Sequence, residues 1–302
     1  MTTTLDTTGR ASAGQPADRP TSRWRDVVRR RPLLVFFVLA NVASWVAWTP
    51  YVLSQNGLGV LDLRFPGGPG VSQLTGVLPG AYLGPIGAAL LVTAVADGRA
   101  GLRAWAARLW RWRVGWRWYA GVLLGVPAAM VLATMALGAD ASTPSPFVLV
   151  ALVPGLVVQM ITTGLAEEPG WRDFALPRLQ HRFGPLGAAA VLGPAWGVWH
   201  LPLFLTEWGG WPDVAWWRPV EFVAFCVVFN VVMTWVFNRT HESLPMAMLL
   251  HVSVNNFASM AWSDVFPGRA DEHLQHAILL ASTVAAAVLL LTTRGRLGYV
   301  RE

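Results

Sequence analysis

The sequence predicts an all-α fold: a polytopic membrane protein built as a bundle of eight transmembrane helices, with one amphipathic helix at the interface. Three observations carry this. Hydrophobic residues fill 54% of the 302 positions and charged ones 13%, with a mean hydropathy of +0.44; a soluble domain carries about 25% charged residues. Apolar runs near the ~20 residues that cross a ~30 Å hydrocarbon core recur along the chain. Between them, basic and non-basic connections alternate, which is the signature of membrane topology.

A pI of 10.6 could also point to nucleic acid. However, the basic residues are all arginines set in short connections, where they meet the anionic headgroups of membrane lipids, and no nucleic-acid partner is expected. The single cysteine, Cys226, lies inside an apolar run, so it forms no intramolecular disulfide and reads as a small core residue.

Taken in order, residues 1–31 are polar, rich in Thr, Ser, Ala and Pro, and end in Arg29-Arg30-Arg31; they read as a disordered cytoplasmic tail. Residues 32–302 form the transmembrane domain. No cleavable signal is visible, because the first apolar run starts late and is full length. The eight spans are Pro32 to Leu53, Val71 to Ala96, Trp118 to Gly138, Pro146 to Ala166, Leu186 to Leu205, Val220 to Phe237, Leu244 to Trp262 and Leu274 to Thr293. In the second connection, Leu102, Trp105, Leu109 and Trp112 share one helical face while Arg103, Arg108 and Arg111 lie largely elsewhere, the pattern of a helix in the headgroup plane. The tail, the stretch Asp97 to Arg117, the connection bearing Arg172, Arg178 and Arg182, the short link with Arg239, and the C-terminus with Arg294, Arg296 and Arg301 are basic. Of the intervening connections, Ser54 to Gly70 holds only Arg64, Ala139 to Ser145 and Thr206 to Trp217 hold none, and Ser263 to His273 holds only Arg269. By the positive-inside rule both termini are cytoplasmic.

Ionisable groups within membrane-length runs are costly, and by default they are candidates for function. Glu167 and Glu168 close the fourth run. Consecutive helical positions differ by about 100°, so the two cannot face the same neighbour. Glu168 can pair with Arg172 four residues on, leaving Glu167 to point elsewhere. Pro169-Gly170 then breaks the helix, and the mixed stretch Asp173 to Gly187 is expected to be re-entrant or interfacial. His200 lies deep in the fifth run, one turn after Trp196. His251 lies in the seventh, one turn before Asn255. The remaining histidines, His181, His241, His273 and His276, fall in connections or at span ends.

The chemistry follows from residue type. Glu167 could take a proton from water held by His200, and the hydroxide would attack a peptide carbonyl. His251 and Asn255 are donors suited to the resulting oxyanion. Glu167, His200 and His251 also make an N/N/O donor set fit for Zn²⁺ with one position open for water. Residue types do not separate a metal-activated water from a carboxylate-activated one.

Glu167-Glu168-Pro169-Gly170-Trp171-Arg172 resembles the EExxxR motif of the CAAX-protease and bacteriocin-processing (CPBP) family of intramembrane endopeptidases, which includes the type II CAAX prenyl endopeptidases. Trp196 to His200 is similar to its FxxxH motif, and His251 to Asn255 to its HxxxN motif. All three occur in order within a catalytic core of about residues 146–262. The resemblance implies an eight-span bundle with a conical cavity open to the cytoplasm. Glu167 would be the essential base, with Glu168 and His200 beside it in the catalytic set. His251 and Asn255 would sit at the oxyanion, and Arg172 would hold the site in shape. Trp196 stands where the family has Phe; it keeps an aromatic wall and narrows the cavity.

The expectation is an intramembrane endopeptidase of a bacterial plasma membrane, its active site facing the cytoplasm, hydrolysing a peptide or a membrane-anchored protein rather than a prenylated substrate. A non-catalytic bacteriocin-immunity or scaffold protein of the same fold is one rival; the intact Glu167, His200, His251 and Asn255 argue against it. A proton-coupled transporter is the other. Against it stand the absence of an internal repeat and the few polar residues in the outer halves of the spans.

Overall fold

The computed structural model describes residues 23–269 and 271–300, and its described elements are helices. Six stretches are long and apolar enough to cross a membrane: Pro32–Leu53, Gly70–Ala96, Trp116–Ala136, Pro146–Leu205, Arg218–Arg239 and His273–Thr293. A 17-residue helix, Leu244–Met260, is buried among them along most of its length. The stretch Pro146–Leu205 is 60 residues long, far more than one crossing requires. It is divided at Gly184, whose φ of 70° and ψ of 175° no helix contains. The molecule is thus an all-α, multi-spanning membrane bundle.

Much of the outer surface is apolar. On helix 32–53, Leu34, Val38, Val42 and Val46 point outward at four-residue intervals, the spacing of one helical face. Inside, small residues let backbones approach. Gly76, Gly80 and Gly84 face Tyr51, Trp48 and Ser44 in turn, and a β-carbon at any of the three would overlap its partner. The seam is tied by Trp48 Nε1 donating to the Val77 carbonyl and Ser44 Oγ to the Gly80 carbonyl, each at 2.7 Å. Trp171 packs edge-on against Phe36 and Trp199, joining helix 32–53 to both legs of 146–205.

Several local expectations change. Of the expected tail 1–31, residues 1–22 lie outside the described residues, whereas Arg23–Arg30 is a helix. Its Val28 is buried and Arg29 donates to the Val95 carbonyl, so docking supplies the order that composition alone did not promise. The amphipathic element is a helix only over Gly98–Ala107, followed by one tight turn. Trp112 falls beyond its end and is exposed. The chain there docks on the 238–243 link, with Arg111 donating to the His241 carbonyl and Ser243 donating to that of Arg111.

The largest change concerns Pro169-Gly170, which do not break the helix. The backbone widens into π-helical turns at Met160–Gly164 and Pro169–Ala175 and continues to the break at Gly184. Widening relieves the clash of a proline ring with the preceding turn, and such turns are common at functional sites. Asp173 to Gly187 is therefore helical up to that glycine. Asp173, Phe174 and Leu176 in it are buried.

The connections sort by charge into two ends. One end gathers the start of helix 32–53, the 97–117 connection, 178–182, Arg239 and 294–296, linked by Arg178–Asp97 and Gln180–Asn238 contacts. The other gathers 54–68, 138–145, 206–217 and 261–269, linked by Glu207 N donating to the Asn56 carbonyl and Ser142 N to that of Val265.

Candidate active site

A cavity of about 300 Å³ enters the bundle. Glu167, Trp196, His200, His251 and Asn255 all line it. Three separate segments bring them there: the widened turns around 160–175, the leg after Gly184, and helix 244–260. Glu168 and Arg172 do not line it.

Glu167 is buried, and its Oε2 accepts a hydrogen bond from Trp196 Nε1 at 2.8 Å. His200 Nδ1 lies 2.9 Å from the Trp196 carbonyl. A carbonyl only accepts, so the proton sits on Nδ1 and Nε2 is left free to take one. The His200 ring is walled by Trp199, Phe222 and a stacked Trp208. His251 Nδ1 lies 2.8 Å from Glu168 Oε1, which fixes its orientation and turns Nε2 away from that carboxylate. Asn255 stands one turn further along the same wall.

Beneath this set, Glu168 and Arg172 are fully buried, with Arg172 Nε 3.2 Å from Glu168 Oε2. That contact is an ion pair without hydrogen-bond alignment. The guanidinium also lies 5.7 Å from the Trp196 ring centroid. Glu168 thus contacts His251 and Arg172 and stands behind the cavity wall. Trp196 touches the most partners: Glu167, His200, His251 and Arg172.

Among the described residues, no three His, Cys, Asp or Glu side chains are gathered as a metal would need. Glu167, His200 and His251 each line the cavity beside the Trp196 indole.

The cavity also holds polar residues that sequence reasoning passed over. Gln159 and Thr163 precede Glu167 at four-residue intervals on one wall, with Thr163 Oγ1 donating to Gln159 Oε1 at 2.9 Å. Ser259 follows Asn255 by four, and Gln73 faces them from helix 70–96. The spacing 159, 163, 167 and 251, 255, 259 was the signal. Of these, Gln73 and Ser259 fall in the outer halves of their expected spans.

At the mouth, Tyr51, Asn56 and Ser72 all donate to Glu207 Oε1, pinning the loop whose next residue, Trp208, stacks on His200. At the opposite end the site is sealed. Trp105 Nε1 donates to the Pro169 carbonyl, and Arg108 bridges the buried Asp173 to Glu242.

Comparison with known proteins finds similarity over the segment that carries these residues. Residues 149–257 match a family model described as "Type II CAAX prenyl endopeptidase Rce1-like". A stretch of 92 residues is 26% identical to CAAX prenyl protease 2 of Methanococcus maripaludis; it makes up 30% of this chain and 34% of that protein. The chain therefore matches about a third of the length of that relative. Over about a third of the chain, then, residues 149–257 are similar to membrane protease domains of the CAAX-protease, Rce1-like kind.

Proposed function

We propose that the protein is an intramembrane endopeptidase, its bundle crossing the membrane eight times, that hydrolyses a peptide bond in a peptide or membrane-anchored protein. The observation that carries this is the convergence of Glu167, His200, His251 and Asn255 on one cavity. Water enters between Glu167 and His200. Glu167, steadied by the Trp196 N–H, removes a proton as the water oxygen bonds to the scissile carbonyl carbon. His200 Nε2 orients that water. The carbonyl oxygen becomes an oxyanion, accepting from Asn255 Nδ2 and, in its protonated form, from His251 Nε2. Collapse breaks the C–N bond, and the proton taken by Glu167 passes to the leaving amine. General-base catalysis of this kind contributes ~10²–10⁴-fold.

The test is Glu167→Gln, which keeps the size and the contact with Trp196 but cannot accept the proton. In lipid vesicles, cleavage of a peptide library or anchored reporter is expected to fall by ~10²-fold or more, with the thermal unfolding temperature little changed. Cleavage that survives this change overturns the proposal, and a binding or immunity role that survives it favours the non-catalytic rival. A second reading, in which Glu167, His200 and His251 close on Zn²⁺, rests on their donor chemistry. It requires stoichiometric zinc in purified protein, and activity lost to a chelator and restored by Zn²⁺. Activity indifferent to chelation leaves the glutamate route.

A further inference from the structure

The family resemblance brings with it a cavity open to the cytoplasm, but the arrangement of charge in this chain points the other way. The cavity reaches from Glu167 and His251 to Gly70, Trp208 and Ser259. Gly70 begins helix 70–96, Trp208 lies in the 206–217 connection, and Ser259 is near the end of helix 244–260. All three belong to the end of the bundle whose connections are poor in arginine. There, Arg64, Arg218 and Arg269 are outnumbered by Asp62, Asp140, Glu207, Asp213, Glu221 and Asp264.

The arginine-rich end lies on the far side of the site, and it is closed. His251 is seven residues from Leu244, about 10 Å by helical rise, and Trp105, Arg108 and Glu242 cover Pro169 and Asp173 there. Short arginine-bearing connections stay in the cytoplasm because carrying them across the bilayer is costly. The side walls give the same direction: Gln73, Gln159, Thr163 and Ser259 lead from the reacting groups toward the arginine-poor end.

We propose that the cavity opens on the extracytoplasmic side, so that the bond cut lies in a segment delivered from that side: an exported peptide or the outward-facing flank of a membrane-anchored protein. That a bond is cut rests on the protease reading; the orientation rests on charge and geometry alone.

The two parts separate experimentally. Asp213→Cys and Asp62→Cys mark the mouth end, and Arg113→Cys and Arg99→Cys the sealed end; all four positions are exposed, whereas the native Cys226 is buried. With a membrane-impermeant maleimide on intact bacterial cells, the two mouth-end variants are expected to label. The two sealed-end variants should label only after permeabilisation. Reversed labelling, or equal labelling of both pairs on intact cells, overturns the orientation, whatever Glu167→Gln does to cleavage. An anchored reporter with its candidate segment outside should then be cut, and one with the same segment inside should not; cutting of the inside segment alone also overturns it. If neither reporter is cut while labelling follows the expected pattern, the protease reading fails and the orientation stands.

Discussion

Asn255 and Asn256 are neighbours of one residue type, yet the fold uses them differently. Asn255 lines the cavity, whereas Asn256 is buried and donates to the Leu152 carbonyl at 3.0 Å, tying helix 244–260 to the start of 146–205. Removing an oxyanion donor costs ~10²–10³ in kcat. Asn255→Ala is therefore expected to lower kcat by about that factor in a steady-state peptide assay, leaving the unfolding temperature near that of the parent. Asn256→Ala should do the reverse, lowering the unfolding temperature and sparing kcat per folded molecule. Equal losses of kcat in both would remove the oxyanion role from Asn255. The pairing of Glu168 with Arg172 was legible from their spacing of four, since that spacing places both on one face. That His251 would complete the set was not, because it comes from 83 residues away.

At the scale of elements, the segment that carries the two glutamates depends on how closely two backbones approach. A β-carbon on Gly170 would stand 2.5 Å from the Pro85 carbonyl oxygen, and backbone on both sides leaves little room to yield. Gly170→Ala should thus push 169–175 away from helix 70–96, lowering stability by about 1–3 kcal/mol, as overpacking does. A thermal melt in detergent or lipid would register the loss, and unchanged melting would mean the two segments can slide apart freely. Read from sequence, Pro169 and Gly170 looked like a stop signal. The rule that proline ends a helix assumes the regular i to i+4 ladder; here the ladder widens, and tertiary contacts from Trp105 and Pro85 hold the widened form. Conversely, Gly76, Gly80 and Gly84 recur at four-residue spacing, and that signature of close helix packing was present in the sequence.

For the molecule as a whole, Arg108 is the clasp between the connection 97–117, the glutamate-bearing segment and the 238–243 link. It pairs with Asp173 at 2.7 Å and Glu242 at 2.8 Å, and the Asp173 side chain is fully buried. Breaking a buried pair by removing one partner typically costs ~3–5 kcal/mol. Arg108 is itself partly exposed, so Arg108→Ala is expected at or below the low end of that range, and the double change with Asp173→Asn should recover part of it. Melting temperatures of the two variants measure this directly, and a double variant no better than the single one would show that the charge of Asp173 is not what the clasp neutralises. By itself the sequence determined the solvent in which this chain folds, the all-helical class, the alternation of its connections and which side chains are chemically able to act. Each of these follows from local composition, from a period along one helix, or from the cost of placing charge in hydrocarbon. Only the tertiary structure decided that His251 joins Glu168 and Arg172, that an indole stands among both imidazoles and the acid, and toward which end the cavity opens. Those depend on distances between segments remote in the chain, which no local period encodes.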